Sequence, residues 1–137
     1  MAIAAELERM ADHAEGNGSI VLLMRDEPFV KPLVDIPKMA EVAREMLRQS
    51  LTAFTERDVA EAYRVGQRDD EVDRLQDTVY HDLVRIMIAA PTTVEACTHL
   101  LWVAHNLERI ADRATNIAER VVFTVTGALP EMDVSSY

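Results

Sequence analysis

A chain of 137 residues has the length of one domain, so a multidomain reading starts at a disadvantage. Hydrophobic residues make up 49% and charged residues 28%, a globular composition that excludes a disordered tail, while 4 glycines, 5 prolines and 5% aromatics favour long helices over a many-turned sheet. With 14 basic against 24 acidic residues the formal net charge is -10, which argues against nucleic acid as a partner and favours cations or basic protein surfaces.

The first helix is predicted over residues 3 to 25. It opens without a capping residue, because Met1 and Ala2 lead directly into apolar and acidic positions, so it reads as a helix joined partway. Its early acids Glu6 and Glu8 are the opposite of a basic leader, and no run approaches the ~20 apolar residues of a membrane span, so no membrane insertion and a cytoplasmic location are expected. Ile3, Leu7, Met10, Ala11 and Ala14 form its apolar stripe.

Glu27, Pro28 and Lys31-Pro32-Leu33-Val34 break the periodicity as a loop. A second helix starts near Asp35 with Pro37 in its first turn, carries Ile36, Met39, Ala40, Ala43, Met46, Leu47, Ser50, Leu51 and Phe54 along one face, and ends near Thr55. Asp58 followed by Glu61 is a capping-box pattern opening a third helix, with Val65, Val72, Leu75, Val79, Leu83 and Ile86 on its buried face. Ala90 and Pro91 stop that helix, and Thr92 with Glu95 forms a second capping-box pattern for the fourth. Its stripe runs Cys97, Leu100, Ala104, Leu107, Ala111, Ala114, Ala118, Val122, Val125 until Gly127 and Pro130 close it, and the tail to Tyr137 is expected to fray. The predicted fold is all-α: an antiparallel three-helix bundle preceded by one extra long helix, with divisions at 1–27, 35–128 and 129–137.

A repeat runs through the pattern. Leu7-Glu8-Arg9-Met10-Ala11-Asp12-His13-Ala14 returns as Leu107-Glu108-Arg109-Ile110-Ala111-Asp112-Arg113-Ala114, matching at six of eight positions. Self-similarity at this spacing implies two copies of one helical unit, each ending in a Glu-x-x-x-Asp helix. On a helix Glu108 and Asp112 stand about 40° apart, one turn above the other, and Glu119 extends the strip. Like charges at that spacing destabilise a helix by about 0.2 to 0.5 kcal/mol, so the pair needs something to offset it. Asp69 and Asp73 repeat the arrangement on the third helix, and Asp77 prolongs it. Both strips are predicted to border the core without entering it. Converging carboxylates at a bundle edge make an oxygen-only ligand set, suited to Mg, Ca, Mn or non-haem iron. The plain alternative is a solvated acidic face, neutralised locally by Arg109 and Arg113, or by Arg9 and His13 in the first copy.

His99 and His105 are six apart, no His-x-x-x-His pair exists, and each histidine reads as a boundary residue, with His13 the nearest to a ligand because it adjoins Asp12. Trp102 reads as a packing residue at the bundle edge, Cys97 as inert core, and Met10, Met39, Met46 and Met87 as core at helical spacing.

The run Asn106-Leu107-Glu108-Arg109-Ile110-Ala111-Asp112-Arg113-Ala114-Thr115-Asn116-Ile117-Ala118-Glu119, with Asp69-Asp70-Glu71-Val72-Asp73-Arg74-Leu75 upstream, resembles the PhoU family of phosphate-transport regulators. The resemblance covers nearly the whole chain and implies two three-helix repeats, of which the first helix here would be the end of the first. It further implies surface metal clusters held by Glu/Asp-x-x-x-Asp motifs: Asp69, Asp73, Glu108 and Asp112 as the main site, with Glu8, Asp12, Glu119 and Asp77 as weaker ligands, and iron, manganese, zinc or magnesium as the ion. The implied role is non-catalytic, the negative regulation of phosphate uptake and phosphate-starvation signalling, with the phosphate ABC-transporter ATPase and the phosphate-sensing histidine kinase as partners. The first two helices of the first repeat have no counterpart here, so the Glu8–Asp12 site lacks its aspartate-bearing neighbour. The first helix's apolar stripe then needs a cover, which points to a homodimer or higher oligomer held by residues 3 to 25. A ferritin-like di-metal enzyme would add Glu-x-x-His motifs, which are absent, and a plain helical scaffold would bind no metal.

Overall fold

The computed structural model describes residues 2–27, 30, 34–130 and 132. Much of the predicted loop at Pro28 and Lys31–Leu33, and most of the tail beyond Pro130, lie outside them. Four α-helices follow in order: α1 (Ala2–Met24), α2 (Asp35–Glu56), α3 (Val59–Ala89) and α4 (Val94–Thr126), with a 3-10 turn, Pro91–Thr93, between the last two. None of the described helices is long and apolar enough to cross a membrane.

The connections are set by local chemistry. Arg57 ends α2 in the left-handed conformation at φ 56, its N–H turned back to the carbonyls of Ala53 and Phe54. Asp58 then caps α3, its carboxylate accepting the Glu61 N–H at 3.0 Å. A two-residue connection leaves α2 and α3 antiparallel. The second expected cap does not form. Pro91–Thr93 tightens into a 3-10 turn, Thr93 takes the N-cap position without capping, and its hydroxyl bonds back to Ala90 O at 2.7 Å. Proline at the start of the turn holds the chain in this tighter winding, so Thr92 is drawn into the turn instead of standing before a helix. At the far end Gly127, at φ 78, donates to Phe123 O at 2.8 Å and stops α4 as predicted.

The core is built by α2, α3 and α4 around Met39, Met46, Val65, Val72, Ile117 and Val121, all buried. α4 is the central helix, packed by α1 on one side and by α2 and α3 on the others. Its buried alanines, at 96, 104, 111, 114 and 118, keep the surfaces pressed against it small and let three helices approach closely. Two expected core positions of α2, Ala40 and Phe54, are exposed, and Val42 and Ala53 are buried in their place. Cys97 is buried as expected, whereas Trp102 is 55% exposed, its ring perpendicular to that of His105 at 5.5 Å, so it is a surface aromatic.

α1 meets α4 and no other described helix. It docks through Ile3 and Met10, and through polar ties: Glu6 accepts from Arg113 Nη1 and from Asn116 Nδ2, each at 3.4 Å, and Asn106 donates to Asn17 Oδ1 at 2.8 Å. The contact is symmetric about the repeat. Glu6 reaches Asn116, and Gly16 receives Asn106 so closely that a Cβ on it would stand 3.3 Å from Asn106 Nδ2, the same pair with the two copies exchanged. The predicted α1 stripe therefore splits, with Ile3 and Met10 buried and Leu7, Ala11 and Ala14 left exposed.

Candidate metal centre

α3 and α4 run antiparallel, and their acidic strips face each other across the seam between them. Asp69 is 0% exposed, Glu108 0% and Asp112 2%, while Asp73 is half-buried beside them. This corrects the expectation that the acids only border the core. Reading α4 against a single apolar stripe placed them at an edge, but α4 is packed on three sides, and the edges of two strips close into an interior seam.

Both carboxylate oxygens of Asp69 and both of Glu108 are shut off from solvent, and no N–H or hydroxyl group of the described residues donates to them. Arg109 Nη1 stands 3.6 Å from Asp112 Oδ2, one cation beside three buried acids. Burial raises the Asp69 carboxyl from 3.8 to about 7, and the charges of Asp73, Glu108 and Asp70 push the same way. Asp112 opposes it by hydrogen bonding, which between two carboxyls requires a shared proton. Buried anions without donors are costly enough that a proton or a cation must accompany them. The donor set is all oxygen and its charge is high, so these residues fit a hard or borderline cation. A groove of ≈ 580 Å³ lined by Asp73, Gln76, Asp77, Tyr80 and His105 borders the seam at Asp73.

The other expected ligands are not drawn in. Glu8 and Asp12 are exposed, because no helix packs on that side of α1 among the described residues. Asp77 is exposed and lies 3.4 Å from His81 Nε2. Glu119 is half-buried, accepts the Met132 N–H at 3.3 Å, and has its carboxyl raised by burial. His105, half-buried, is lowered by burial and by the charge of Arg109, which leaves it the neutral imidazole beside the groove.

One group escaped the sequence reading. Glu27, Glu95 and His99 place three donor atoms within 4.8 Å of one another. Glu95 and His99 are four apart on α4, a spacing visible in the sequence, but the third member comes from the turn after α1 and only the fold brings it there.

The PhoU domain family model matches residues 36–121. The phosphate-specific transport system accessory protein PhoU homolog of Zymomonas mobilis is 39% identical over 132 residues, 96% of this chain and 56% of that protein. The homolog of Caulobacter vibrioides is 39% identical over 140 residues, 98% of this chain and 61% of that protein. Among solved structures, the phosphate transport system regulatory protein PhoU of Streptococcus pneumoniae superposes with a TM-score of 0.89 at 27% identity, over 96% of this chain and 62% of its own. PhoU of Pseudomonas aeruginosa gives 0.87 at 30% identity, over 92% and 61%. The chain thus spans somewhat more than half the length of the relatives it matches. With a family model matched over most of the helical bundle and the same four-helix arrangement in solved members, this chain belongs to the PhoU family.

Proposed function

We propose that this chain is a metal-binding, non-catalytic regulator of phosphate transport. In this reading it acts in the cytoplasm as a negative regulator of phosphate uptake and phosphate-starvation signalling, through contacts with the phosphate ABC-transporter ATPase and the phosphate-sensing histidine kinase. Family membership supports the link to phosphate transport, since relatives are named accessory and regulatory proteins of that system. The observation that carries the metal is the pair Asp69 and Glu108, all four of whose carboxylate oxygens are buried without a hydrogen-bond donor among the described residues, with Asp112 buried beside them.

In this reading Asp69, Asp73, Glu108 and Asp112 hold the ion, iron, manganese, zinc or magnesium, across the α3–α4 seam. A bound cation supplies the positive charge that lets all four acids ionise together. The residues do the rest: Asp69 and Asp73 from α3 meet Glu108 and Asp112 from α4, so occupancy fixes the two helices against each other. Residues 1–27 then represent the last helix of a first repeat and 35–128 the second repeat. The exposed Leu7, Ala11 and Ala14 of α1 would be covered by a second copy in a homodimer.

The test is regulation in cells lacking their own member of the family. Expression of the chain should restore repression of phosphate uptake at high phosphate, and Asp69→Asn with Asp112→Asn should abolish that repression while the protein stays folded. Unrepressed uptake with the folded wild-type chain would contradict the reading.

A further inference from the structure

We propose that Glu27, Glu95 and His99 form a second metal site, of mixed nitrogen and oxygen donors, that takes a divalent transition-metal ion of the zinc type. It is separate from the carboxylate seam, since His99 and Glu108, the nearest seam residue on α4, are nine residues apart, about 13 Å of helix. The Glu27 N–H bonds back to Met24 O at 2.9 Å, and this turn after α1 sets Glu27 beside the opening turns of α4. Glu95 and His99 face it from successive turns of that helix.

The distances suit a shared coordination sphere. Zinc binds imidazole nitrogen and carboxylate oxygen at about 2.0 to 2.2 Å in tetrahedral geometry, so its donors stand roughly 3.3 Å apart, a spacing the two flexible carboxylate arms can close to. Here the three donor atoms all lie within 4.8 Å of one another, and His99 Nδ1 is 2.8 Å from Glu27 Oε1. That close pair is not a hydrogen bond: Nδ1 has no partner on its bonding axis, and Glu27 Oε2 has none either, although both atoms are sealed from solvent. A simple His–Glu ion pair would align the N–H with the carboxylate and satisfy both groups. Here the ring nitrogen and Glu27 Oε2 are both left without a hydrogen-bond partner among the described residues.

Charge and chemistry agree with a divalent ion. Two carboxylates and a neutral imidazole balance a 2+ charge, and the carboxylates also offset the positive end of the α4 dipole, which alone would disfavour a cation there. An imidazole in the set favours zinc, cobalt, iron or nickel over magnesium or calcium, unlike the all-oxygen seam. Glu95 is exposed, so the outer side of the ion is open to water and to exchange. Occupancy would tie the turn after α1 to the start of α4, the helix on which α1 rests.

The test is zinc binding to the full chain by calorimetry, with cobalt absorption as the spectroscopic readout. The variants are His99→Gln, Glu95→Gln and the pair Asp69→Asn with Asp112→Asn. Each of the first two should weaken one zinc site at least tenfold and change the visible cobalt spectrum, while the seam pair should retain that site. Glu95 is exposed, so Glu95→Gln gives the answer even if His99→Gln fails to fold. Zinc affinity and stoichiometry unchanged in both Glu95→Gln and His99→Gln would overturn the proposal. So would loss of all zinc binding from the folded seam pair.

Discussion

Asp69 of α3 and Asp112 of α4 face each other inside the bundle, at 0% and 2% exposure, with Glu108 buried alongside. Two carboxyls in that position share a proton, accept a cation, or destabilise the seam. The raised Asp69 carboxyl fixes the sign for the metal-free protein. Its value is 3.8 when free and about 7 in the fold, so between those values the folded chain holds a proton that the unfolded chain has released. Its contribution to stability is complete below the lower value and is lost as pH rises through the upper one. In chelator, melting should therefore fall between about pH 4 and pH 7 and level off above that, and Asp69→Asn should flatten the slope, as thermal unfolding across the pH range would show.

Metal reverses the trend. Coordination requires the ionised carboxylates, so affinity should climb steeply with pH up to about 7 and level off above it. Calorimetric titration with manganese at pH 5.5, 6.5 and 7.5 measures this directly, and a pH-independent affinity would place the ion away from Asp69.

The repeat provides an internal control. Glu8 and Asp12 carry the same motif as Glu108 and Asp112, yet are exposed where the latter are buried. Glu8→Gln with Asp12→Asn should change stability by no more than about 0.5 kcal/mol and leave the metal-dependent rise in melting intact. Glu108→Gln should remove most of that rise. Parallel melts with and without metal separate the two.

α1 is held by few ties, and Asn17 is central to them: it accepts from Asn106 at 2.8 Å and donates to Val103 O at 3.5 Å. Asn17→Ala should cost about 1 kcal/mol and speed hydrogen exchange in α1 more than in α2 or α3. Equal acceleration throughout would mean that α1 opens only with the whole bundle.

The helices and their order were legible because steps of three and four in Met39, Met46, Val65, Val72, Ala111 and Ala118 leave little choice of period. So were Asp58 and Gly127, whose side-chain chemistry and φ each act within one turn. The burial of Asp69 and Glu108 was not, because a residue's angle on its own helix says nothing about how many neighbours that helix has. The exposure of Ala11 and Ala14 had the same origin: α1 docks by the symmetric Glu6–Asn116 and Gly16–Asn106 contacts, a face chosen by its partner. Glu27 meets Glu95 and His99 only through the fold, since nothing in the local sequence links a turn after α1 to the start of α4.

The acidic surface should dock on basic partner surfaces with a marked salt dependence, since screening acts over about 8 Å at physiological ionic strength. If the chain makes the proposed regulatory contacts, pull-downs with the transporter ATPase and the sensor kinase should weaken several-fold from 50 to 500 mM salt. Sedimentation of the intact chain should show a dimer that Leu7→Glu converts to monomer, and a monomeric intact chain would rule out pairing through α1.

The most direct test is the metal itself. Protein purified without chelator should carry bound metal by elemental analysis, and stripping then restoring it at about a hundred times its dissociation constant should return about 2.7 kcal/mol of stability, a melting rise of roughly 5 to 10 °C. Asp69→Asn with Asp112→Asn should lose the seam's share of that rise while keeping its fold. A wild-type chain that holds no metal and melts at the same temperature with manganese, iron, zinc or magnesium added, or a double variant that gains as much as the wild type, would contradict the buried carboxylate seam as a metal site.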